Sequence, residues 1–151
     1  MSGDINHDIQ EIVAQLLIDL AQGSDVEMAD DWPVYESKMP DSPDNAICIY
    51  NSEGFLGGRS QPDGQTQEKY GIQIKVRSKL LDGYVKLKHI GSTFDQQLVP
   101  MSVIIDTDEY TITSMKRMSS IIPLGMDATS RRSTWVLNFL ASITRTIGSD
   151  I

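Results

Sequence analysis

The chain has 151 residues, of which 21 are acidic and 13 basic, so its formal net charge is −8 at pH 7. A chain of this length has the size of one domain with a sizeable core, and we expect residues 1–151 to form a single domain. The acidic balance argues against a general nucleic-acid-binding role, because phosphate neutralisation needs clustered lysine and arginine. The acidic charge remains compatible with a protein surface along which DNA passes without binding.

The single cysteine, Cys48, excludes an intramolecular disulfide and a cysteine-rich metal site. It lies in the apolar run Ala46–Tyr50, where we expect a buried thiol. No apolar run approaches the roughly 18–20 residues that a membrane span needs, and the first residues lack the layout of a secretory signal. We therefore expect no membrane partner and an origin in a reducing cytoplasm.

Apolar residues at three- and four-residue spacing predict a first helix over about residues 6–22, with Asn6 as its N-cap and Gly23 as its stop. A short strand is predicted at Trp32–Lys38. Pro33 confines this strand to a sheet edge, because proline cannot donate a hydrogen bond to a neighbouring strand.

The segment Met39–Asn45 combines two prolines with Asp and Asn side chains that hydrogen-bond nearby backbone amides. It predicts a stiff turn that aims the apolar run Ala46–Tyr50 into a sheet as a strand covered on both faces. The sequence from 53 to 67 predicts a long loop, and loops of this length in compact domains usually contact something. The residues expected to make that contact are Phe55, Leu56 and Arg59.

Alternating apolar and polar residues predict a half-buried strand over Tyr70–Arg77. Ser78 is the expected N-cap of a second helix. The predicted apolar stripe of that helix consists of Leu80, Leu81, Tyr84, Val85, Leu87, Gly91, Phe94 and Leu98. Glycine at positions 83 and 91 weakens the helix by roughly 1 kcal/mol each relative to alanine.

The final third predicts only strands and turns. Met101–Asp106 is a short strand, Thr107–Glu109 a turn, and Tyr110–Leu124 a long strand with a bend. After a turn at Met126–Arg132, Trp135–Ile147 is a strand with alternate residues on one face. The predicted order is α-β-β-β-α-β-β-β, an α+β sandwich in which two helices pack on a mostly antiparallel sheet.

Several motifs together resemble the minor capsid or tail terminator family of siphophages and prophages. They are MPDSPDNAICIYNSEG at 39–54, VRSK at 76–79, the helix start LLDGY, and PLGMDATSRRSTWVLNF at 123–139. The resemblance covers about residues 5–147 and implies a fold similar to that of tail tube proteins.

Two features depart from the family pattern. The pair Arg131-Arg132 stands where a single arginine is common in the family, and the loop 54–67 is particular to this chain.

The resemblance implies an architectural protein. Family members form a homohexameric ring on the last ring of the tail tube, stop tube polymerisation and present a surface to the capsid neck. The implied partners are the tube protein below and a head-completion or stopper protein above, with DNA passing through the channel without specific binding. The implied location is the tail–neck junction of the virion. The sequence itself is consistent with an architectural role, because no nucleophile–base pair, metal cluster or cofactor loop stands out in it. We therefore expect no enzymatic activity and no cofactor.

A ring of this kind needs contact residues and a channel wall. We expect contacts with neighbouring subunits or the tube from Phe55, Leu56, Arg59, Arg131 and Arg132. The channel wall should be acidic, because a basic wall would bind phosphate and slow DNA. The candidates for that wall are Asp25, Glu27, Asp30, Asp31, Asp106, Asp108 and Glu109.

Two alternatives stay open at this point. The protein could be another ring of the same neck, such as a head-completion or stopper protein. It could also be a small hydrolase, because the carboxylates of Asp106, Asp108 and Glu109 cluster in sequence and paired carboxylates can bind Mg²⁺.

Overall fold

The computed structural model describes residues 2–3, 8–20, 32–41, 43–51, 68–96, 100–129 and 131–146. The elements in these ranges are β1 (Ser2–Gly3), α1 (Ile9–Asp19), β2 (Val34–Glu36), β3 (Ala46–Asn51), β4 (Glu68–Lys79), α2 (Asp82–Asp95), β5 (Met101–Ile105), β6 (Asp108–Arg117), β7 (Ile122–Asp127) and β8 (Arg132–Thr146). The strands form one sheet in which β2 and β3 are the parallel pair and the other pairs are antiparallel. The predicted α+β class, with two helices on a mostly antiparallel sheet, is confirmed.

Strand β8 is the centre of the sheet. Along one edge it pairs with β4, from Arg132 opposite Lys79 to Ile143 opposite Glu68, and β1 extends that edge. Along the other edge it pairs with β6 at one end and with β7 at the other. The order from one side of the sheet to the other is β2-β3-β4-β8-β6-β5.

The predicted long strand Tyr110–Leu124 consists of two strands, β6 and β7, which lie end to end along β8. The chain leaves the ladder between them, where the backbone N–H of Met118 donates to the carbonyl of Asn138 at 2.8 Å. The hydroxyl of Ser119 accepts a hydrogen bond from the N–H of Asn138 at 3.3 Å. The predicted bend is therefore confirmed, and the second strand continues to Asp127.

The core lies between the helices and one face of the sheet. The alternate residues of β8 that were predicted to share a face are all buried there: Trp135, Leu137, Phe139, Ala141 and Ile143. Helix α2 packs on β4, β6 and β8, whereas α1 contacts β2 and β3 at one side of the sheet and β5 at the other. One helix can touch both sides only because the sheet curls around it.

Helix α1 begins later than predicted. Asp8 has extended backbone angles, φ −62° and ψ 142°, and its carbonyl accepts the N–H groups of Glu11 and Ile12. Asp8 is thus the N-cap, and the prediction of Asn6 is wrong because helical geometry starts only at Ile9. Gly23, the predicted stop, lies outside the described residues. The predicted apolar stripe is buried through Leu17.

Helix α2 also begins later than predicted. Strand β4 continues through Ser78 to Lys79, so Ser78 is not an N-cap residue of the helix. Its hydroxyl nevertheless satisfies one N–H of the first helical turn, because Ser78 Oγ accepts from the N–H of Gly83 at 2.6 Å. Ser78, although it belongs to the strand, thus makes the hydrogen bond that was expected of an N-cap residue.

This shift changes which residues face the core. Leu80 and Leu81 lie in the connection between β4 and α2, and they are 79% and 67% exposed. Tyr84 and Val85 are also exposed, so placing these four side chains in the apolar stripe was wrong. The face of α2 that meets the sheet consists of Gly83, Leu87, Ile90, Gly91 and Phe94.

The two glycines of this face allow a close approach to the sheet. A Cβ at position 83 would lie 2.8 Å from Cζ3 of Trp135 and 2.9 Å from Oγ of Ser78. A Cβ at position 91 would overlap the guanidinium of Arg117. At position 83 the low helix propensity of glycine is therefore offset by packing that a larger side chain would prevent.

Cys48 is fully buried in β3, as expected, and burial raises the pKa of its thiol. In the part of the chain that the structure describes, no helix is long and apolar enough to cross a membrane.

The contact between α2 and Trp135 predicts the effect of Gly83→Ala. The added methyl group meets a rigid ring, and overpacking of this kind costs about 1–3 kcal/mol, which exceeds the gain of about 1 kcal/mol in helix propensity. We expect a lower free energy of unfolding in urea titration. Ser92→Ala, at an exposed position of the same helix, is the control and should change stability by less than about 0.5 kcal/mol. Equal stability of the two variants would contradict this packing.

Candidate functional site

The Pro-Asp turn before β3 is held onto the sheet by arginines. From β4, Arg77 donates through Nη2 to the carbonyl of Pro43 at 2.5 Å and through Nε to that of Asp44 at 3.4 Å. From β8, Arg132 donates to the carbonyl of Asp41 and lies 3.6 Å from the Asp44 carboxylate. Arg77 is buried, and this burial lowers the pKa of its guanidinium. The turn that carries the sequence motif is therefore fixed in register by two strands.

The adjacent arginines 131 and 132 have different surroundings. Arg132 makes its contacts within the subunit, because its side chain is only 12% exposed and hydrogen-bonds to the Pro-Asp turn. Arg131 is exposed, and no described residue makes a hydrogen bond or ion pair to its side chain. Of the predicted contact residues, Arg131 is thus the one that the structure presents at the surface. Phe55, Leu56 and Arg59 lie outside the described residues.

Arg131 borders an open groove of about 740 Å³ where β4 and β7 end and β8 begins. Its lining residues are Lys79, Leu80, Leu81, Met126, Thr129, Arg131 and Ser133. The three apolar side chains of this set are each at least 60% exposed. Both charged side chains of the lining are cationic, although Lys79 forms an ion pair with Asp44, with 3.3 Å between Nζ and Oδ2.

Strand β7 carries further exposed apolar side chains, with Met126 on the face of Ser133 and Ile122 on the opposite face, beside Val136. All residues of β7 are exposed, including Ile122, Leu124 and Met126. Among the described strands, β7 pairs only with β8, and no other described strand lies along its outer edge. Exposed apolar groups beside an unpaired strand edge mark a site of contact with another chain. We call Leu80, Leu81, Ile122, Leu124 and Met126 the hairpin surface.

Backbone strain coincides with the groove. Among the described non-glycine residues, four have positive φ, and two of these, Leu80 at 59° and Arg131 at 60°, line the groove. The left-handed conformation costs a bulky side chain about 1–2 kcal/mol. Strain of this kind persists where the surrounding structure enforces it, and it concentrates at functional sites. No local pattern predicted this strain, because leucine and arginine are not residues that favour positive φ.

The acidic turn lies at the other end of the sheet. Asp106 and Thr107 form the turn, whereas Asp108 and Glu109 already belong to β6, so the turn begins one residue earlier than predicted. Asp108 accepts from Arg145 Nη2 at 2.9 Å, and Glu109 accepts from Ser102 Oγ at 2.6 Å.

These carboxylates do not converge on one point. Neighbouring strand residues point to opposite faces of the sheet, so Asp108 and Glu109 diverge. Within the described ranges, no group of three or more His, Cys, Asp and Glu side chains is placed to hold a metal ion. The geometry thus gives the hydrolase hypothesis no Mg²⁺ site at this turn. The other acidic candidates, Asp25, Glu27, Asp30 and Asp31, lie outside the described residues.

Comparison with known proteins leaves the family open. No protein-family model matches the chain, and no curated protein matches it. Among the solved structures that are similar, one matches over 94% of this chain and 96% of its own, with 15% sequence identity and a TM-score of 0.49. A similarity at this level does not transfer a function.

The arginine contacts predict that Arg77→Met destabilises the protein. The substitution keeps the apolar stem but leaves the carbonyls of Pro43 and Asp44 without their donor, which costs about 2 kcal/mol. Lys79→Met removes a half-exposed ion pair from the same turn and should cost no more than about 1 kcal/mol. Chemical denaturation measures both. A larger loss for Lys79→Met would mean that the ion pair, rather than Arg77, holds the turn.

The strain at Leu80 predicts that Leu80→Asn does not destabilise the isolated chain. Asparagine tolerates positive φ better than leucine, and little burial is lost at a side chain that is 79% exposed. We expect the melting temperature to stay constant or rise. A clear fall in the melting temperature would show that Leu80 packs against the rest of the subunit and is not kept exposed for a partner.

Proposed function

We propose that this protein is a structural virion protein that forms a hexameric ring on a phage tail tube. The ring ends tube polymerisation and joins the tail to the capsid neck. The resemblance of residues 39–54 and 123–139 to tail terminators supports the proposal. The structural observation that carries it is the hairpin surface, a group of exposed apolar side chains in β7 and in the connection between β4 and α2 of a strongly acidic chain. Exposed apolar side chains grouped in this way typically mark a site of contact with a partner.

The arginine contacts suit a repeated assembly. A ring subunit is contacted on two sides, and every contact must repeat with the same geometry for the ring to close. Arg77 and Arg132 tie the Pro-Asp turn to two central strands, so a contact on this end of the sheet meets a rigid body. Rigidity before assembly lowers the entropy that must be lost on binding. In this proposal the motif shared with tail terminators is a scaffold for the contact surface.

The charge of the chain suits a channel for DNA. Six copies at −8 each give a ring of −48. Phosphate binding depends on lysine and arginine, so a ring with this balance lets DNA slide without specific binding. We assign the channel wall first to Asp25, Glu27, Asp30 and Asp31, since the carboxylates of Asp108 and Glu109 have partners within the subunit.

The proposal predicts where the protein lies and in how many copies. Image reconstruction of virions should show one six-membered ring at the head-proximal end of the tail tube. In solution, adding the purified protein to assembling tube subunits should stop elongation. Twelvefold symmetry would assign the protein to the portal or its adaptor. A ring separated from the tube by another protein would make it a head-completion or stopper protein.

The hairpin surface predicts a separable defect. The triple variant Ile122→Ser/Leu124→Ser/Met126→Ser changes only exposed side chains, so we expect it to fold with an unchanged circular dichroism spectrum. It should fail to stop tube elongation, because the apolar contact is lost. Met118→Ser, at an exposed methionine outside the hairpin surface, is the matched control. Normal activity of the triple variant would remove the hairpin surface from the proposal.

A further inference from the structure

Lysine side chains lie on the face of the sheet that points away from the helices. On β4 the buried Ile74 points to the core, and the alternation of side chains turns Lys69 and Lys75 to the opposite face. On β6 the buried Met115 points to the core, so Lys116 points to the same outer face. We call Lys69, Lys75 and Lys116 the lysine face. A chain with a net charge of −8 thus has a cationic surface on one side of its sheet.

The charges of the lysine face are not cancelled within the described part of the subunit. Lys69 and Lys116 are exposed, and no described residue makes a hydrogen bond or an ion pair to either side chain. Lys75 is half-buried, and its Nζ lies 5.7 Å from the centre of the Tyr50 ring. Burial raises the pKa of Tyr50 to about 12, so the phenol is neutral at pH 7 and leaves the charge of Lys75 in place.

Among the described residues, the carboxylates of this outer face lie at its two ends. Glu109 is opposite Thr146 and bonds to Ser102, and Asp106 lies in the turn beyond it. The step along β8 from the partner of Lys69 to the partner of Glu109 is four residues, or about 13 Å. At the Arg132 end, the carboxylates lie beside cations of the same end: Asp41, Asp44 and Asp127 beside Arg77, Lys79 and Arg132. The centre of the face therefore keeps the positive charge of the three lysines.

The side chains between these lysines are mostly polar and uncharged. Gln73, Asn138 and Ser114 carry amide and hydroxyl groups, whereas Leu140 is half-buried and Val136 is buried. The core of a protein interface is typically apolar and depleted in lysine. Phosphate oxygens of nucleic acids, by contrast, are contacted by lysine together with Ser, Asn and Gln side chains. The composition of the face therefore favours a nucleic-acid backbone over an acidic protein.

The lysines are spaced widely enough to reach separate phosphates. Lys69 and Lys116 flank β8 opposite Ser142 and Leu140, so their Cα atoms are about 12 Å apart. Lys75 follows Lys69 by six residues on β4, which is about 20 Å along the strand. A duplex covers this distance with about six base pairs, at 3.4 Å for each phosphate of one strand.

We infer that the lysine face binds the phosphate backbone of duplex DNA, with Lys69, Lys75 and Lys116 each at one phosphate. This inference goes beyond the proposed function, because it gives the subunit a DNA contact of its own. Backbone contacts carry no sequence information and allow a protein to slide along DNA, so they agree with passage without specific binding. The net charge of −8 opposes the contact, which makes it weak and dependent on low ionic strength.

The salt dependence of DNA binding tests the contact. Fluorescence anisotropy with a labelled DNA duplex measures the affinity of the purified protein over a series of salt concentrations. Each neutralised phosphate contributes about −0.9 to the slope of log affinity against log salt, so three lysines predict a slope of about −2.7. The affinity should therefore fall about twentyfold between ~50 and ~150 mM salt. A second duplex with the same base pairs in another order should bind equally, and a preference would contradict a backbone contact.

Variants of the exposed lysines assign the contact to this face. The double variant Lys69→Gln/Lys116→Gln should reduce the slope to about −0.9, because one of the three phosphate contacts remains. Lys69→Arg/Lys116→Arg keeps both charges and should keep the slope. Lys88→Gln, at an exposed position of α2 on the helix side of the sheet, is the matched control and should bind like the unchanged protein. No binding at ~50 mM salt, an unchanged slope in the glutamine variant, or an equal loss in Lys88→Gln would each overturn the inference.

Two further measurements separate this inference from a protein contact and from the proposed function. If native mass spectrometry without DNA shows that Lys69→Gln/Lys116→Gln dissociates an oligomer of the unchanged protein, the face contacts another copy and the inference is overturned. A glutamine variant that still stops tube elongation but no longer binds DNA supports the inference. DNA binding through the lysine face by a protein that forms no ring on the tube overturns the hexamer and leaves the inference standing.

Discussion

Strand β8 hydrogen-bonds to four other strands, and the rest of the structure depends on its register. β4 and β1 fill one edge from Arg132 to Thr146, and β6 and β7 line most of the other. Since the side-chain period of a strand is two, a slip by one residue would move Trp135, Leu137 and Phe139 from the core to the opposite face. Both helices pack on this face, so the same register also fixes where α1 and α2 lie.

The Arg132 end of β8 combines a rigid scaffold with an exposed groove. Arg132 bonds inward to the Pro-Asp turn, and its neighbour Arg131 stands at the groove. Consecutive residues serve both purposes because the left-handed backbone of Arg131 ends the β7–β8 turn immediately before the strand begins. The pair Arg131-Arg132 departs from the pattern of the family that the sequence resembles. Arg132 stabilises the fold, and Arg131 places a positive charge at the surface.

Local patterns predicted much of this fold, and long-range contacts explain what they missed. The alternation in β4 and β8 was readable because each strand buries one face along its whole length. Leu80 and Leu81 were assigned to a helix because their spacing fits a stripe, but β4 continues to Lys79 and shifts the helix start. The partners of the Pro-Asp turn could not be read from the sequence, since Arg132 lies 91 residues from Asp41. The groove was missed for the same reason: its walls come from separate parts of the chain.

The face of the sheet opposite the helices carries side chains that bond to one another. Polar side chains on that face pair with one another: Gln73 donates to Asn138 at 3.2 Å, and Ser114 bonds to Ser142 at 3.2 Å. Groups that are already satisfied gain little from a protein partner, because a new hydrogen bond would only replace an existing one. Exposed apolar side chains lie toward the two ends of β8, among them Leu124, Met126 and Ile104. In the ring that we propose, contacts at the ends of β8 therefore bury apolar side chains while leaving these polar pairs intact.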